Sequence, residues 1–224
     1  MKQATQAVTE RYRTRELSMS SWPDFERFFS QGNGWDFCWC IAGQRERNLP
    51  QREYRTRAAR SVRNRSDKRE LVNSRRAHGI LVYDGDQPVG WCRYGPRSDF
   101  PHLAEREDGL GNLWSINCFV VAKTHRRQGV AGWALKAALR SIQRQGGGTV
   151  EAYPISSAGR HRNRDMPPTF VQGVGPITAA WGRVSGEAYS GTVSMFEREG
   201  FRAISPLGTR VVMRKVVPAE RTSR

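Results

Sequence analysis

The hydrophobic positions are most regular between Leu113 and Pro154, and this stretch organises the chain. It begins with an uncharged run, Leu113–Val121, that is rich in β-branched and aromatic residues, as a buried strand is. After a short basic loop and Gly129, apolar residues recur every three or four positions, which predicts an amphipathic helix ended by three consecutive glycines. A second strand, Thr149–Tyr153, follows. The pattern therefore predicts a β–loop–α–β unit.

The remaining pattern predicts further strands and helices around this unit. The predicted strands are Thr9–Leu17, Trp35–Ile41, Gly79–Tyr83, Gln87–Tyr94 and Gly208–Val217. Residues 84–86 form the turn of a hairpin, and Gly95–Gly111 is expected to be a loop. Trp22, Phe25, Phe28 and Phe29 lie at helical spacing and predict an early helix with one aromatic face. A late helix is expected over Glu187–Glu199.

Two segments interrupt this alternation of strands and helices. Gly43–Arg76 is rich in arginine and is interpreted as a basic arm, partly helical, with Tyr54, Ala58 and Val62 as a thin apolar stripe. It either covers the site of an acidic substrate or is a solvated pair of helices. Ser156–Gly186 is long, polar and rich in glycine, and we interpret this insertion as a lid over a substrate, because long loops in compact domains are commonly functional.

The basic loop carries the chemistry of the central unit. It reads Arg126-Arg127-Gln128-Gly129-Val130-Ala131-Gly132 and lies where a strand turns into a helix. The first turn of a helix offers unpaired N–H groups to an anion, and arginine adds bidentate contacts to phosphate. The spacing fits neither a P-loop nor a dinucleotide-binding fingerprint. The residues themselves therefore predict a pyrophosphate cradle of another kind.

With Arg126, Gly129 and Ala131 in its defining places, this loop resembles the [QR]-x-x-G-x-[GA] motif of the GNAT superfamily of acyl-CoA-dependent N-acetyltransferases. The run Met195–Phe201 also resembles the late helix-to-strand signature of that family. The resemblance implies a single α/β (α+β) domain over residues 1–224, with a mixed, mostly antiparallel sheet flanked by helices. It implies acetyl-CoA as co-substrate, bound by residues 113–154. The implied cofactor contacts are Phe119, Val120, Val121, Arg126, Arg127, Gln128, Gly129, Val130, Ala131 and Gly132.

The resemblance also implies direct attack of a primary amine on the thioester, but two familiar catalytic side chains are missing. Phe196 occupies the place of the usual tyrosine acid. Tyr189, two helical turns earlier, is the candidate acid, with a rim or core aromatic as the alternative. Glu151 is the candidate base, with an arginine ion pair as its alternative role. Asn117 and Cys118 lie near the place of the usual base, whereas His125, in the basic loop, is expected to face phosphate or solvent.

Composition bounds the partners. The net charge of +16 favours an acidic acceptor, such as an aminoacyl-tRNA, although a genome that favours arginine codons explains it equally. A small amine or a protein amine is also open. Four cysteines without a signal peptide predict a cytoplasmic protein with free thiols and no metal, and no run is apolar enough to span a membrane. Family members are often homodimers. The alternatives are a non-catalytic CoA-binding module and a basic nucleic-acid-binding protein.

Overall fold

A computed structural model describes residues 11–31, 35–41, 43–44, 56–101, 109–155, 170–171, 175–176, 190–207 and 210–220. In chain order the elements are β1 (Arg13–Glu16), α1 (Trp22–Ser30), α2 (Arg57–Asn73), β2 (His78–Asp84), β3 (Gln87–Pro96), β4 (Leu113–Val121), α3 (Val130–Arg144), β5 (Gly148–Ala152), β6 (Phe170–Val171), β7 (Gly175–Pro176), α4 (Val193–Arg198), β8 (Arg202–Leu207) and β9 (Arg210–Val217). Short 3₁₀-helices follow β3 and β4.

The described strands form a mixed, mostly antiparallel sheet in the order β1-β2-β3-β4-β5-β9-β8. Strands β4 and β5 run parallel, since α3 connects them as a crossover helix. Strands β6 and β7 pair with each other in a separate small sheet. The expected fold class, a mostly antiparallel central sheet flanked by helices, is confirmed.

Helices cover both faces of this sheet. Side chains alternate between the faces along β3. Trp91 packs against Phe25 of α1, with ring centroids 4.8 Å apart, whereas the Tyr94 hydroxyl lies 2.6 Å from the Ser141 hydroxyl of α3. One side of the sheet is therefore the α1 face and the other the α3 face. Gly90 allows α3 to start close to β3, because a Cβ there would clash with the Val130 side chain.

Most predicted elements of the first three quarters of the chain are confirmed. The β4–α3–β5 unit and the β2–β3 hairpin have their predicted boundaries to within about two residues. The early helix is α1, and its four aromatic residues are buried as expected. The expected loop after the hairpin begins later, because β3 continues to Pro96 and a 3₁₀-helix follows. The first strand is shorter, and its predicted first residues lie outside the described range.

The strand predicted at Trp35–Ile41 is wrong. The segment is a series of tight turns, in which the Cys38 N–H donates to the Trp35 carbonyl and the Ile41 N–H to the Cys38 carbonyl. Helix α2 holds it in place, since the Asn64 amide donates to the Phe37 carbonyl at 2.5 Å. Cys38 and Cys40 therefore do not lie next to each other on one side of a strand.

The apolar stripe predicted on the basic arm does not form the packed face of α2. Val62 is 71% exposed on α2, and Ala58 is exposed as well. The buried positions of α2 are instead Asn64, Lys68 and Val72, so this helix packs through a largely polar face. Tyr54 and the rest of 45–55 lie outside the described residues.

The end of the chain departs from prediction in two ways. The late helix, α4, starts only at Val193. Its N-cap residue is Thr192, whose side chain accepts a hydrogen bond from the Met195 N–H. Residues 190–192 are not helical, and Gly191 has a positive φ of 77°. Strand β8 was not predicted, since its residues 202–207 lack a strong alternating pattern. Most of the predicted lid lies outside the described residues.

Among the described helices, none is both long and apolar enough to cross a bilayer.

Candidate active site

The central strands β4 and β5 separate part of the way along their length. Their parallel pairing runs from Leu113 opposite Thr149 to Ile116 opposite Ala152 and then stops. Strand β4 nevertheless continues, paired with β3 on its other side as far as Val121 opposite Gly90. Within the described part of the chain, the second half of β4 has no partner strand on its β5 side. A cleft with one bare strand edge therefore opens there.

The register of β3 and β4 shows which backbone groups face this cleft. The Ala122 N–H donates to the Val89 carbonyl at 2.9 Å, just beyond the end of β4. Backbone groups of an antiparallel pair alternate between facing the partner and facing away. The N–H and C=O groups of Val120 therefore point toward β3. Those of Phe119 and Val121 point into the cleft, where they are available to an extended ligand.

The N-terminus of α3 lies at the far end of β4. Gly129 is the N-cap residue, in left-handed conformation with φ of 83°, and no side chain caps the helix. The first turn contains no acidic residue. No described atom lies within 4 Å of the place where a Cβ on Gly129 or Gly132 would stand. The first turn thus presents unpaired N–H groups and a positive dipole to open space, as an anion site requires.

The loop side chains fall into two groups. Arg126 and Arg127 are exposed, and the Arg126 Nε lies 3.5 Å from the Val121 carbonyl at the cleft. Gln128 is held by the protein itself: its amide donates to the Thr124 carbonyl at 2.8 Å and its oxygen accepts from Arg11 at 2.6 Å. The two arginines are therefore placed to meet an anion through their side chains, whereas Gln128 offers its backbone.

The other predicted members of the cradle lie deeper. The Val130 side chain is buried against β3, where it fixes the start of α3, and Ala131 and Gly132 are half-buried. His125 faces away from the cleft: its Nε2 lies 3.2 Å from an Asp84 carboxylate oxygen and its Nδ1 2.8 Å from the Thr124 hydroxyl. These residues shape the loop from behind.

Glu151 lies on β5 beside the point where the strands separate. Its neighbours in register are Ser115 on β4 and Arg214 on β9. The carboxylate is fully buried, and its Oε1 accepts from the Arg214 Nε at 2.6 Å. The ion pair that sequence analysis left as an alternative role for Glu151 is therefore present.

Sequence analysis missed two side chains that contact Glu151. The Tyr153 hydroxyl donates to the Glu151 Oε2 at 2.6 Å, so Tyr153, Glu151 and Arg214 form one chain of polar contacts, which we term the carboxylate cluster. Tyr153 follows Glu151 by two residues, and that spacing in a strand was a usable signal. Arg214 gave no local signal, because the register of β5 with β9 brings it there.

The tyrosine proposed as acid lies outside the described residues. A spacing of two helical turns between Tyr189 and Phe196 requires one continuous helix, whereas α4 starts only at Val193. Phe196 is part of the core, with its ring edge-on to Phe119 at 6.0 Å and to Phe201 at 5.0 Å. Helix α4 thus supports β4 at the cleft from the α3 face.

Asn117 and Cys118, two other residues considered near the reaction centre, face a second buried group. The Arg93 Nε donates to the Asn117 Oδ1 at 2.6 Å. Cys118 pairs in register with Arg93 and therefore shares its side of the sheet, the α1 face.

No group of described residues has the arrangement of three or more ligands that a metal ion needs.

The split sheet thus offers a bare strand edge to an extended ligand, and the uncapped helix N-terminus beside it offers a place for an anion. The family model for the acetyltransferase (GNAT) family matches residues 15–158. The chain belongs to that family, and it is an N-acetyltransferase by that membership. No curated protein sequence matches it significantly.

The chain is also similar to several solved structures at low sequence identity. One is PaiA N-acetyltransferase from Thermoplasma acidophilum in complex with coenzyme A, with TM-score 0.48 and 12% identity over 92% of this chain and 98% of that one. Another is the ribosomal-protein-S18-alanine N-acetyltransferase of Escherichia coli, with TM-score 0.45 and 9% identity over 94% and 96%. The aminoglycoside N(6')-acetyltransferase of Legionella pneumophila has TM-score 0.46 and 10% identity over 92% of each chain.

Proposed function

We propose that this acetyltransferase binds acetyl-CoA across the cleft, with the pyrophosphate at the first turn of α3 and the extended arm along β4. The divergence of β4 from β5 beside the uncapped α3 N-terminus carries this proposal. The backbone N–H groups of residues 127–132 and the guanidinium groups of Arg126 and Arg127 would hold the phosphates. The cleft-facing groups of Phe119 and Val121 would hold the arm, with Val120 fixing the strand from the β3 side.

The chemistry at the acetyl end requires a neutral amine and a stabilised oxyanion. Acetyl-CoA supplies the acetyl group as a thioester. A backbone N–H on the bare edge of β4 is suited to polarise the carbonyl, because it points into the cleft and has no strand partner. Glu151 remains the proposed base and acts through a water or through Tyr153, since both of its oxygens already accept hydrogen bonds. Tyr189 remains a proposed acid, and Tyr153 is a second candidate for that role.

For the acceptor, we propose an amine carried by a molecule with negative charge, such as an aminoacyl-tRNA. The arginines of α2 and the following turn support this. Arg57, Arg63 and Arg65 are ion-paired with Asp36, Asp67 and Glu26 respectively. Among the described residues, no carboxylate lies within ion-pair distance of the exposed arginines Arg60, Arg69, Arg75 and Arg76. Unneutralised arginines on α2 and on the turn after it suit a phosphate backbone.

The cofactor proposal is tested by isothermal titration with acetyl-CoA, using two glutamate substitutions at the ends of α3. Gly129→Glu places a carboxylate in the cradle and should abolish measurable binding. Gly146→Glu is the matched control: Gly146 also has a positive φ and open space around it, but lies at the far end of the helix, about 22 Å away. Equal binding by Gly129→Glu and the wild type would refute the cradle, and equal loss in both variants would point to misfolding.

The titration also separates the three hypotheses of function. An acetyltransferase binds acetyl-CoA and releases thiol when a panel of amines is added, whereas a CoA-binding module binds without release on any amine. A nucleic-acid-binding protein binds RNA with an affinity that acetyl-CoA leaves unchanged.

The acceptor proposal is tested by RNA binding at several salt concentrations. Arg69→Ala should weaken binding and reduce the slope of log K against log salt by about one, as expected for one lost phosphate contact. Arg140→Ala is the matched control, since Arg140 is exposed on α3 and has no ion pair among the described residues. If both variants bind like the wild type, or RNA does not bind, the acceptor is a small or protein amine.

The proposal also places the enzyme in the cytoplasm, where its four free cysteines would stay reduced. A homodimer stays a prediction from the family resemblance.

A further inference from the structure

A second buried polar group lies on the α1 face, separate from the carboxylate cluster. It consists of Cys40, Cys118, Lys68 and Arg93, and we term it the thiol cluster. Cys40 belongs to the turns before α2, Lys68 to α2, Arg93 to β3 and Cys118 to β4. The exposed fractions are 2% for Cys40, 0% for Lys68, 1% for Arg93 and 9% for Cys118. Two cationic side chains are thus enclosed with two thiols.

Both cations are directed at Cys40. The Arg93 NH1 donates to the Cys40 carbonyl at 2.9 Å, and the Lys68 Nζ lies 3.4 Å from the same oxygen. The Lys68 Nζ also donates to the Gln44 Oε1 at 2.7 Å. Among the described residues, no carboxylate is within ion-pair distance of Lys68. A buried ammonium with neutral acceptors alone is costly, so a nearby anion would stabilise this arrangement.

The Cys40 sulfur is placed to be that anion. The Trp91 indole N–H is fully buried and has no hydrogen-bond acceptor among the described residues. The Cys118 thiol lies within hydrogen-bonding reach of the Cys40 sulfur. A thiolate accepts a hydrogen bond from the Cys118 thiol well, whereas a thiol is a weak acceptor.

The backbone supports a specialised role for this residue. Trp39 and Cys40 both have φ of 46°, in the left-handed region that residues with a Cβ rarely occupy. Such conformations persist where the surrounding structure enforces them, often at functional positions. Here the Trp39 indole donates to the Ser61 hydroxyl of α2 at 3.0 Å, which fixes the turn next to Cys40.

The electrostatics agree with this geometry. Although burial opposes ionisation, the Cys118 thiol, Arg93 and Lys68 together lower the pKa of Cys40 to about 5. Burial and the neighbouring Cys40 raise the pKa of Cys38 to about 11, and the hydrogen bond to Cys40 raises that of Cys118 well above its ordinary value. Cys92 is likewise raised by burial. Of the four thiols, only Cys40 is set to ionise near neutral pH.

We propose that Cys40 is a thiolate and that Cys40 and Cys118 form an oxidation site, in which a small hydroperoxide converts the pair to a disulfide. The Cys40 thiolate attacks one oxygen of hydrogen peroxide, which gives a sulfenic acid and hydroxide, and solvent protonates the hydroxide. The Cys118 thiol then attacks the sulfenic sulfur, and water leaves as the S–S bond forms. The peroxide is reduced by two electrons and the thiols are oxidised by two. A small oxidant suits the site because both sulfurs are almost enclosed.

The test uses the wild-type protein. It is treated with hydrogen peroxide near neutral pH and then unfolded in the presence of a maleimide, which alkylates the remaining free thiols. The protein is then digested with trypsin and analysed by mass spectrometry. We expect a cross-linked peptide containing Cys118 and the Cys38–Cys40 segment, lost after dithiothreitol, with Cys92 alkylated. Since Cys38 and Cys40 share one tryptic peptide, Cys38→Ser assigns the bond: the cross-link should persist in this variant.

A cross-link that disappears in Cys38→Ser, a Cys38–Cys40 bond, or four alkylated thiols after peroxide treatment would each overturn the proposal. Cys118→Ser removes the resolving thiol, so Cys40 should accumulate as a sulfenic acid that dimedone traps. Oxidation of Cys92 at the same rate as Cys40 would also contradict it, because Cys92 is as buried as Cys40 but burial raises its pKa and keeps it a thiol.

Discussion

The carboxylate cluster and the thiol cluster lie on the same face of one sheet and balance charge in different ways. Arg93 pairs in register with Cys118. Gly95, two residues after Arg93 and on the same side of β3, begins a row of register neighbours that continues through Ser115, Glu151 and Arg214. Both clusters therefore lie on the α1 face. In the first cluster a carboxylate meets an arginine. In the second, two cations meet thiols, so an anion exists only after a thiol loses its proton. Similar burial can therefore give either a fixed or a titrating charge balance.

The largest effect is expected from breaking the fixed pair. Glu151→Ala removes a fully buried carboxylate and leaves the Arg214 guanidinium without its partner. Breaking a buried pair costs about 3–5 kcal/mol, and we expect about 3 kcal/mol here because the Arg214 side chain is 28% exposed. The free energy of unfolding from urea titration measures it.

The matched control for Glu151→Ala is Asp86→Ala. Asp86 pairs with Arg13 at 2.8 Å, a similar distance, but both side chains are exposed, so the expected loss is below about 1 kcal/mol. Equal losses in the two variants would mean that burial does not strengthen the Glu151 pair.

The second largest effect is expected in the pH dependence of folding stability, through the thiol cluster. Folding lowers the pKa of Cys40 from 9.0 to about 5, so the unfolded chain holds a proton that the folded chain lacks between these values, and stability rises with pH. The contribution is full above about pH 9 and is lost as pH falls through about 5. Lys68, with its pKa lowered by burial to about 8, adds a rise only at higher pH.

Two other ionisable groups set the lower limit of the pH range in which the contribution of Cys40 can be measured. Burial raises the pKa of Asp99 to about 6 and lowers that of His78 below 6.5, so both act at lower pH. Between about pH 6.5 and 8, the wild type should therefore gain up to about 1.4 kcal/mol per pH unit, the value for one proton, and Cys40→Ser should lose most of this slope. Urea titrations at three pH values in this window give both slopes. A wild-type slope near zero would mean that Cys40 is not a thiolate.

The two clusters also show what could be predicted from the sequence and what could not. The β4–α3–β5 unit and its loop were predictable, because strand and helix periods are local and the cradle is made mostly of backbone. Glu151 was found, but its partner Arg214 depends on the register of distant strands. The thiol cluster was missed because the Cys-x-Cys segment alternates like a strand. In addition, Lys68 is buried on a helix whose pattern gives no apolar face.

The smallest effect is expected from removing one hydroxyl of the carboxylate cluster. Tyr153→Phe deletes the hydrogen bond to the Glu151 Oε2 and should cost about 1 kcal/mol, a typical net value for one hydrogen bond. Tyr83→Phe is the matched control, since the Tyr83 hydroxyl donates to the Asp24 carboxylate at 2.9 Å, away from the cleft.

Activity distinguishes Tyr153→Phe from its control. If Tyr153 carries protons between Glu151 and the reaction, its loss should lower kcat by about a hundredfold while acetyl-CoA affinity stays unchanged, which is the lower end of the range of general acid–base effects. Tyr83→Phe should keep kcat at the wild-type value with a similar loss of stability. Since both variants lose a phenol–carboxylate hydrogen bond, an equal kcat in the two would assign Tyr153 to the architecture of the cluster and leave proton transfer to Glu151 through water.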